Sequence, residues 1–304
     1  MKLNIETRKL YHKQHSRMLK DTKTYNRIMN IPVNESFFKL SKNYFNGKQV
    51  LDVGCGSIVR NSINFQKLGS EKVIALDLGK DWFSKANRSI KQSKIPKNTI
   101  ILESGSCSDL PYKDEVFDFV CCDGVLPHLV DINQVKKTLG ELTRVTKSKG
   151  YLFVSFMAGG GLIETKIIDS IRGFYRENKE FKKLIDNINP NILNTFITFI
   201  LSTARENGQK LNAKNEKILK ELLDEDLCIS MQNTIQCEKR ECHQLTFVKK
   251  FLLDNDFYQI RRLKRYVIRN NIRKYFSPLH FDSDNKFSKI LYGDGWVDLI
   301  ARKR

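Results

Sequence analysis

The segment VLDVGCG at residues 50–56 constrains this chain more than any other. Four residues of buried-strand character run directly into Gly54 and Gly56, and a helix-permissive stretch follows. A strand that feeds a glycine turn and a helix start brings bare backbone to the carboxyl edge of a sheet, where a nucleotide-like ligand can approach it. The two glycines remove side chains that would block such a ligand, and Asp52 at the strand end can accept hydrogen bonds there.

Beyond this segment, short apolar runs alternate with amphipathic stretches, the rhythm of repeated strand–helix units that build a parallel sheet. The pattern predicts strands at Val50–Val53, Lys72–Asp77, Thr99–Glu103, Phe117–Cys122 and Gly150–Phe156, with helices near Val59–Lys67, Asp81–Gln92 and Ile132–Lys147 between them. After Phe156 the rhythm breaks at Gly159-Gly160-Gly161 into helical stretches near Ile163–Arg176, Lys179–Asn187, Ile192–Glu206 and Asn215–Leu223. It returns with a helix over Leu245–Asn255 and strands at Tyr258–Tyr266 and Trp296–Arg302. The expected organisation is a helical N-terminal arm (1–46) divided by Pro32, a ligand-binding core (47–156), an inserted helical cap serving as substrate lid (157–244), and the rest of the core (245–304).

The loop by itself suits several ligands. A dinucleotide fingerprint counted from Gly54 needs a third glycine at position 59, where Val59 stands, so pyrophosphate binding is disfavoured. Asp77 ends the second strand ~20 residues beyond the loop, where an acid holds ribose hydroxyls, and it suits either kind of cofactor.

Five segments in order carry a more specific signal: VLDVGCGS, VIALDLGKDW, GSCSDLPYKDEVFDFV, CCDGVLPHL and ELTRVTKSKGYLFVSF. Together they resemble the motifs of the class I S-adenosylmethionine-dependent methyltransferases of small-molecule type, and FLLDNDFYQI with GDGWVDLIARK resembles that family's last helix and final two strands. The resemblance implies an α/β, Rossmann-like, doubly wound sheet of seven mostly parallel strands, with S-adenosyl-L-methionine as cofactor. It implies that Gly54, Cys55 and Gly56 line the methionine moiety and ribose with Asp52 nearby, that Asp77 holds the ribose diol, and that Leu78 packs on the adenine. Ser106 and Cys107 fall where the family contacts the adenine edge, and Asp123 with Gly124 beside the methionine portion. The chain departs from the pattern at Ile58, in place of a usual third glycine, and at Ser106, in place of a common Asp.

Methyl transfer from a sulfonium is a displacement in which alignment does most of the work, helped by a general base when the acceptor is a hydroxyl or protonated amine. His128, just after the fourth strand, is the first candidate base, and His243, before the last helix, the second. Tyr11, His12 and His15 sit in an arm that in many relatives folds over the cofactor, so Tyr11 is included among the cofactor contacts. Cys237, Cys242 and His243 lack a fourth ligand at suitable spacing, and no metal is expected.

Composition adds less. The net charge of +19 raises nucleic acid as a partner, but the joint enrichment in Lys, Asn and Ile accounts for much of it, and nucleic acid is not favoured. The basic run Arg261-Arg262-Leu263-Lys264-Arg265, continued by Arg269, Arg273 and Lys274, reads as the solvated face of an edge strand. Seven scattered cysteines without a CxxC pair suit a reducing compartment, and the lack of an apolar run of ~18–20 residues speaks against a membrane span. A cytoplasmic methyltransferase acting on an oxygen or nitrogen of a small or medium-sized metabolite is the expected function. An RNA or protein/peptide methyltransferase using the basic surface, a nicotinamide-dependent oxidoreductase, and a non-catalytic S-adenosylmethionine-binding module are the rivals.

Overall fold

The computed structural model describes residues 2–96, 98–208, 212–237, 241–265, 279–280 and 285–304. Seven strands form one sheet: β1 (Gln49–Val53), β2 (Lys72–Asp77), β3 (Ile100–Ser104), β4 (Phe117–Asp123), β5 (Thr146–Met157), β6 (Phe257–Leu263) and β7 (Trp296–Lys303). Their spatial order is β3-β2-β1-β4-β5-β7-β6. The first five pair in parallel, and β7 runs antiparallel between β5 and β6. This is the doubly wound, mostly parallel sheet expected from the motifs.

Because side chains alternate along a strand, the sheet feeds two cores. Leu51, Val53, Ile74 and Leu76 join one cluster with Leu139 and Leu142 of α6 (Ile132–Val145) and Val248 and Leu252 of α12 (Leu245–Asp254). Val50, Val73 and Ala75 join the other, with Ile63 and Phe65 of α4 (Arg60–Lys67) and Ala86 of α5 (Phe83–Gln92). The order reverses beside β1, between β2 and β4, and the carboxyl ends of the parallel strands meet there at one edge. Helix α4 begins one residue later than the pattern predicts. Val59 instead takes a left-handed backbone (φ 45°, ψ 40°), costly for a β-branched residue, while its side chain is fully buried in the second core.

The N-terminal arm forms α1 (Lys2–Lys20), α2 (Thr22–Met29) and α3 (Glu35–Phe38). The segment after β5 begins with a π-helical turn (Ile163–Ile168) and continues as α7 (Asp169–Glu177), α8 (Lys179–Asp186), α9 (Pro190–Glu206), α10 (Ala213–Glu221) and α11 (Glu225–Gln236). It has a small core of its own, made of Tyr175, Ile185, Ile188, Cys228 and Ile235. Helix α11 is not among the predicted elements, because Ser230, Gln232, Asn233 and Thr234 interrupt its apolar spacing. Asp224 caps it by accepting from the Leu227 N–H at 2.9 Å. A last described helix, α13 (Lys286–Tyr292), precedes β7. No helix among the described residues is long and apolar enough to cross a membrane.

Arm and cap are tied together by side chains. The Arg17 Nε donates to Glu225 at 2.7 Å and its guanidinium reaches Gln232, while Arg27 forms a buried ion pair with Asp226.

Candidate active site

Where strands β1 to β4 end, a cavity of about 400 Å³ opens. Its floor is Gly54 to Gly56, Ile58, Arg60 and Asn61 after β1, Leu76 to Leu78 at the end of β2, Gly105 to Cys107 after β3, and Asp123 to Val125, His128 and Leu129 at and after the end of β4. Trp296 closes one side, since the antiparallel β7 begins at the edge where the parallel strands end. The roof is the arm, through Tyr11, His12, His15, Met18 and Ile28.

The loop is shaped by what packs on it. Gly54 has φ +66°, and a Cβ there would lie 2.2 Å from Val125 Cγ2. A Cβ on Gly56 (φ +64°) would lie 2.8 Å from His15 Cε1. These glycines therefore admit Val125 and the arm as well as baring the backbone. The Gly54 N–H donates to the Leu76 carbonyl at 2.7 Å, and the Asp77 carboxylate accepts the N–H of Gly56 at 2.8 Å and of Leu78 at 2.7 Å. Asp77 thus pins the loop to β2.

Side-chain contacts anchor the roof to the core, among them those of His12, His15 and Tyr11. His12 Nδ1 lies 2.9 Å from Asp81 Oδ2. His15 Nδ1 accepts the Ser57 N–H at 3.2 Å, which leaves the ring proton on Nε2, and burial, reinforced by nearby His12, Lys85 and Arg60, pushes the imidazole down to about 4. Tyr11 Oη lies 2.9 Å from His128 Nε2.

The model of the methyltransferase domain family matches residues 51–154. An uncharacterised protein of Methanocaldococcus jannaschii is 30% identical over 199 residues, covering 61% of this chain and 80% of that one. A probable methyltransferase of Aspergillus luteorubrus is 33% identical over 108 residues, 34% of this chain and 38% of that protein's length, so the chain spans well under half of that relative. The chain belongs to the class I S-adenosylmethionine-dependent methyltransferases. Among solved structures, PKMT2 from Rickettsia typhi shares the fold with a TM-score of 0.54 at 19% identity, over 88% of this chain and 51% of that one.

For a methyltransferase of this class the cavity has a suitable donor set: bare backbone at Gly54 to Gly56, the acid Asp77 at the end of β2, and Leu78, Ser106 and Cys107 beside it in the lining. The Ser106 hydroxyl accepts the Ser108 N–H at 3.2 Å, and Cys107 Sγ lies 3.5 Å from the Thr138 hydroxyl. Burial pushes the Cys55 and Cys107 thiols up, which disfavours their thiolate forms.

Four residues stand differently from the sequence expectation. Asp52 is 1% exposed and does not line the cavity; burial pushes it up to about 7, Ser62 donates to its Oδ2 at 2.6 Å, and Oδ1 has no partner. Asp123 lines the cavity, but its carboxylate is occupied by Arg60 at 2.8 Å, Arg265 at 3.1 Å and the Ser155 hydroxyl. Burial opposes its ionisation, yet the two guanidinium groups hold it well below the usual carboxylate range. Arg265, expected on a solvated face, is buried between Asp123 and Asp298; Arg269, Arg273, Lys274 and Tyr266 lie outside the described residues. His243 is buried and away from the cavity, its Nε2–H donating to the Leu126 carbonyl at 3.0 Å and its backbone N–H to the Met157 carbonyl at 2.9 Å. It holds the turn Leu126–His128 in place rather than facing a substrate.

No described residue of the 157–244 segment lines the cavity, contrary to its expected role as lid. The segment braces the arm through Glu225, Asp226 and Gln232 and touches the turn after β4, where Cys237 Sγ lies 3.5 Å from His128 Nδ1 and the Glu241 N–H donates to the Pro127 carbonyl at 2.8 Å. Sequence reasoning missed Arg60, Trp296 and Gln134 as cavity residues. A helix-start arginine gives no periodic signal, and Trp296 is brought in only by the antiparallel insertion of β7. Among the described residues no group of His, Cys, Asp and Glu is arranged to hold a metal ion.

Proposed function

We propose that this chain transfers a methyl group from S-adenosylmethionine to an oxygen or nitrogen of a small or medium-sized metabolite. The observation that carries the reading is the roofed cavity, in which the glycine loop and Asp77 share one enclosed space with His128. Bound S-adenosylmethionine supplies an electrophilic methyl carbon on a sulfonium, which the acceptor's lone pair takes up as the carbon–sulfur bond breaks. Gly54, Cys55, Gly56 and Asp77 hold the cofactor, Leu78, Ser106 and Cys107 border its adenine, and His128 takes the acceptor's proton. Enclosure under the arm favours a compact acceptor over a polymer, and both acids lining the cavity already accept hydrogen bonds from the protein, which favours a neutral acceptor over a cationic one.

The test is to incubate the protein with methyl-labelled S-adenosylmethionine and a host extract, then identify labelled components by mass. Label in a metabolite is the expected result. Label confined to RNA or protein would transfer the reading to the polymer rivals. Tight binding of S-adenosylhomocysteine without transfer to any component would leave a non-catalytic module.

A further inference from the structure

His128 is enclosed by three parts of the chain. It stands on the turn after β4, in the core. Its Nε2 meets Tyr11 Oη of the arm at 2.9 Å, and its Nδ1 meets Cys237 Sγ, just beyond α11 of the cap, at 3.5 Å. The Tyr11 and His128 rings stand edge to face with centroids 5.0 Å apart. Both imidazole nitrogens therefore face protein side chains when the arm is down. A proton from an acceptor in the closed cavity has its route to His128 through the Tyr11 hydroxyl, which lines the same space.

We infer that Tyr11 and His128 form a latch and proton relay, assembled when the arm closes over the cavity. The inference rests on the proposed methyl transfer and reassigns Tyr11 from cofactor contact to catalytic residue. As the acceptor bonds to carbon, its proton passes to Tyr11 Oη while the Tyr11 proton passes to His128 Nε2. The phenol is regenerated neutral and the imidazole leaves the step as imidazolium, so one proton has moved and no charge is lost. Before closure, Tyr11 stands away from His128 and the relay does not exist. Such gating ties proton removal to the sealed state, in which water is excluded.

The same hydrogen bond adds to the closure of the roof. The ion pairs of Arg17 and Arg27 with the cap position α1 and α2, while Tyr11 is the arm's contact with the catalytic turn. Loss of the Tyr11 hydroxyl should let bound ligand escape faster even where no acceptor is present.

Two measurements on the full chain test this. In the first, the dissociation rate of S-adenosylhomocysteine is measured for the wild type, Tyr11→Phe, His128→Asn and the double variant. The expected result is an increase of about tenfold for Tyr11→Phe, the equivalent of one hydrogen bond, with the double variant no faster than the faster single variant. Additive effects, or an unchanged rate in Tyr11→Phe, would overturn the latch. In the second, transfer of labelled methyl to the component found in host extract is followed in single turnover. A fall of about a hundredfold or more in Tyr11→Phe, well beyond its effect on dissociation, is expected for a relay, and a fall no larger than the dissociation effect would overturn it. A wild type that binds S-adenosylhomocysteine and methylates nothing would sink the proposed function, yet the dissociation rates would still decide the latch.

Discussion

The floor of the cavity and its roof are built by different means. The floor is a sheet edge in which each supporting element has a backbone-bonded neighbour: β1 lies between β2 and β4, and the glycine loop is tied to β2 through Leu76 and Asp77. The roof is two helices with few backbone ties to the core, held by Tyr11, His12 and His15 below and by Arg17 and Arg27 against the cap. A site built this way can keep a rigid cofactor bed while its cover opens and closes. Cofactor recognition then rests on the floor and gating on the roof.

The contrast is most exposed to attack at Arg27. This side chain and Asp226 are both nearly buried, so Arg27→Ala removes a guanidinium from a buried carboxylate between arm and cap, a loss of about 3 kcal/mol or more. The arm should then be cut by protease before the core, while the sheet's unfolding transition stays near its wild-type position. An arm that remains protected would break the distinction.

A smaller effect, confined to the floor, is expected at Asp52. Its folded-state value is raised to about 7 against an ordinary 3.8, so its contribution to stability is fully present below pH 3.8 and is lost as pH rises toward 7. Asp52→Asn removes this dependence. The variant should gain on the wild type by up to about 2 kcal/mol between pH 5 and pH 8 in denaturant unfolding. A constant difference across that range would show that the carboxyl is ionised throughout.

The same division explains what could be read before the structure was known. Strands β1 to β5 and the loop at 54–56 follow from local patterns, because a strand's burial alternation and a glycine's backbone freedom are properties of a few consecutive residues. Val59 in a left-handed conformation was not foreseen, since its burial is decided by packing on α4 and not by propensity. Arg265 read as solvated because its partners Asp123 and Asp298 are 142 and 33 residues away. The cap was expected over the substrate, whereas α11 presents Glu225 and Asp226 to the arm, a pairing across about 200 residues that no local window contains. His243 looked like a base for the same reason: nothing near it in sequence reveals the Leu126 carbonyl that accepts its Nε2–H.

The account rests on the cavity being the S-adenosylmethionine site, and calorimetric titration with S-adenosylhomocysteine tests that most directly. The wild type should bind at one site, and Gly54→Arg, which drives a side chain into Val125 from a left-handed backbone, should lose about a hundredfold or more in affinity while its circular dichroism shows a folded sheet. Equal affinity in the folded variant, or binding of a nicotinamide dinucleotide in place of S-adenosylhomocysteine, would contradict it.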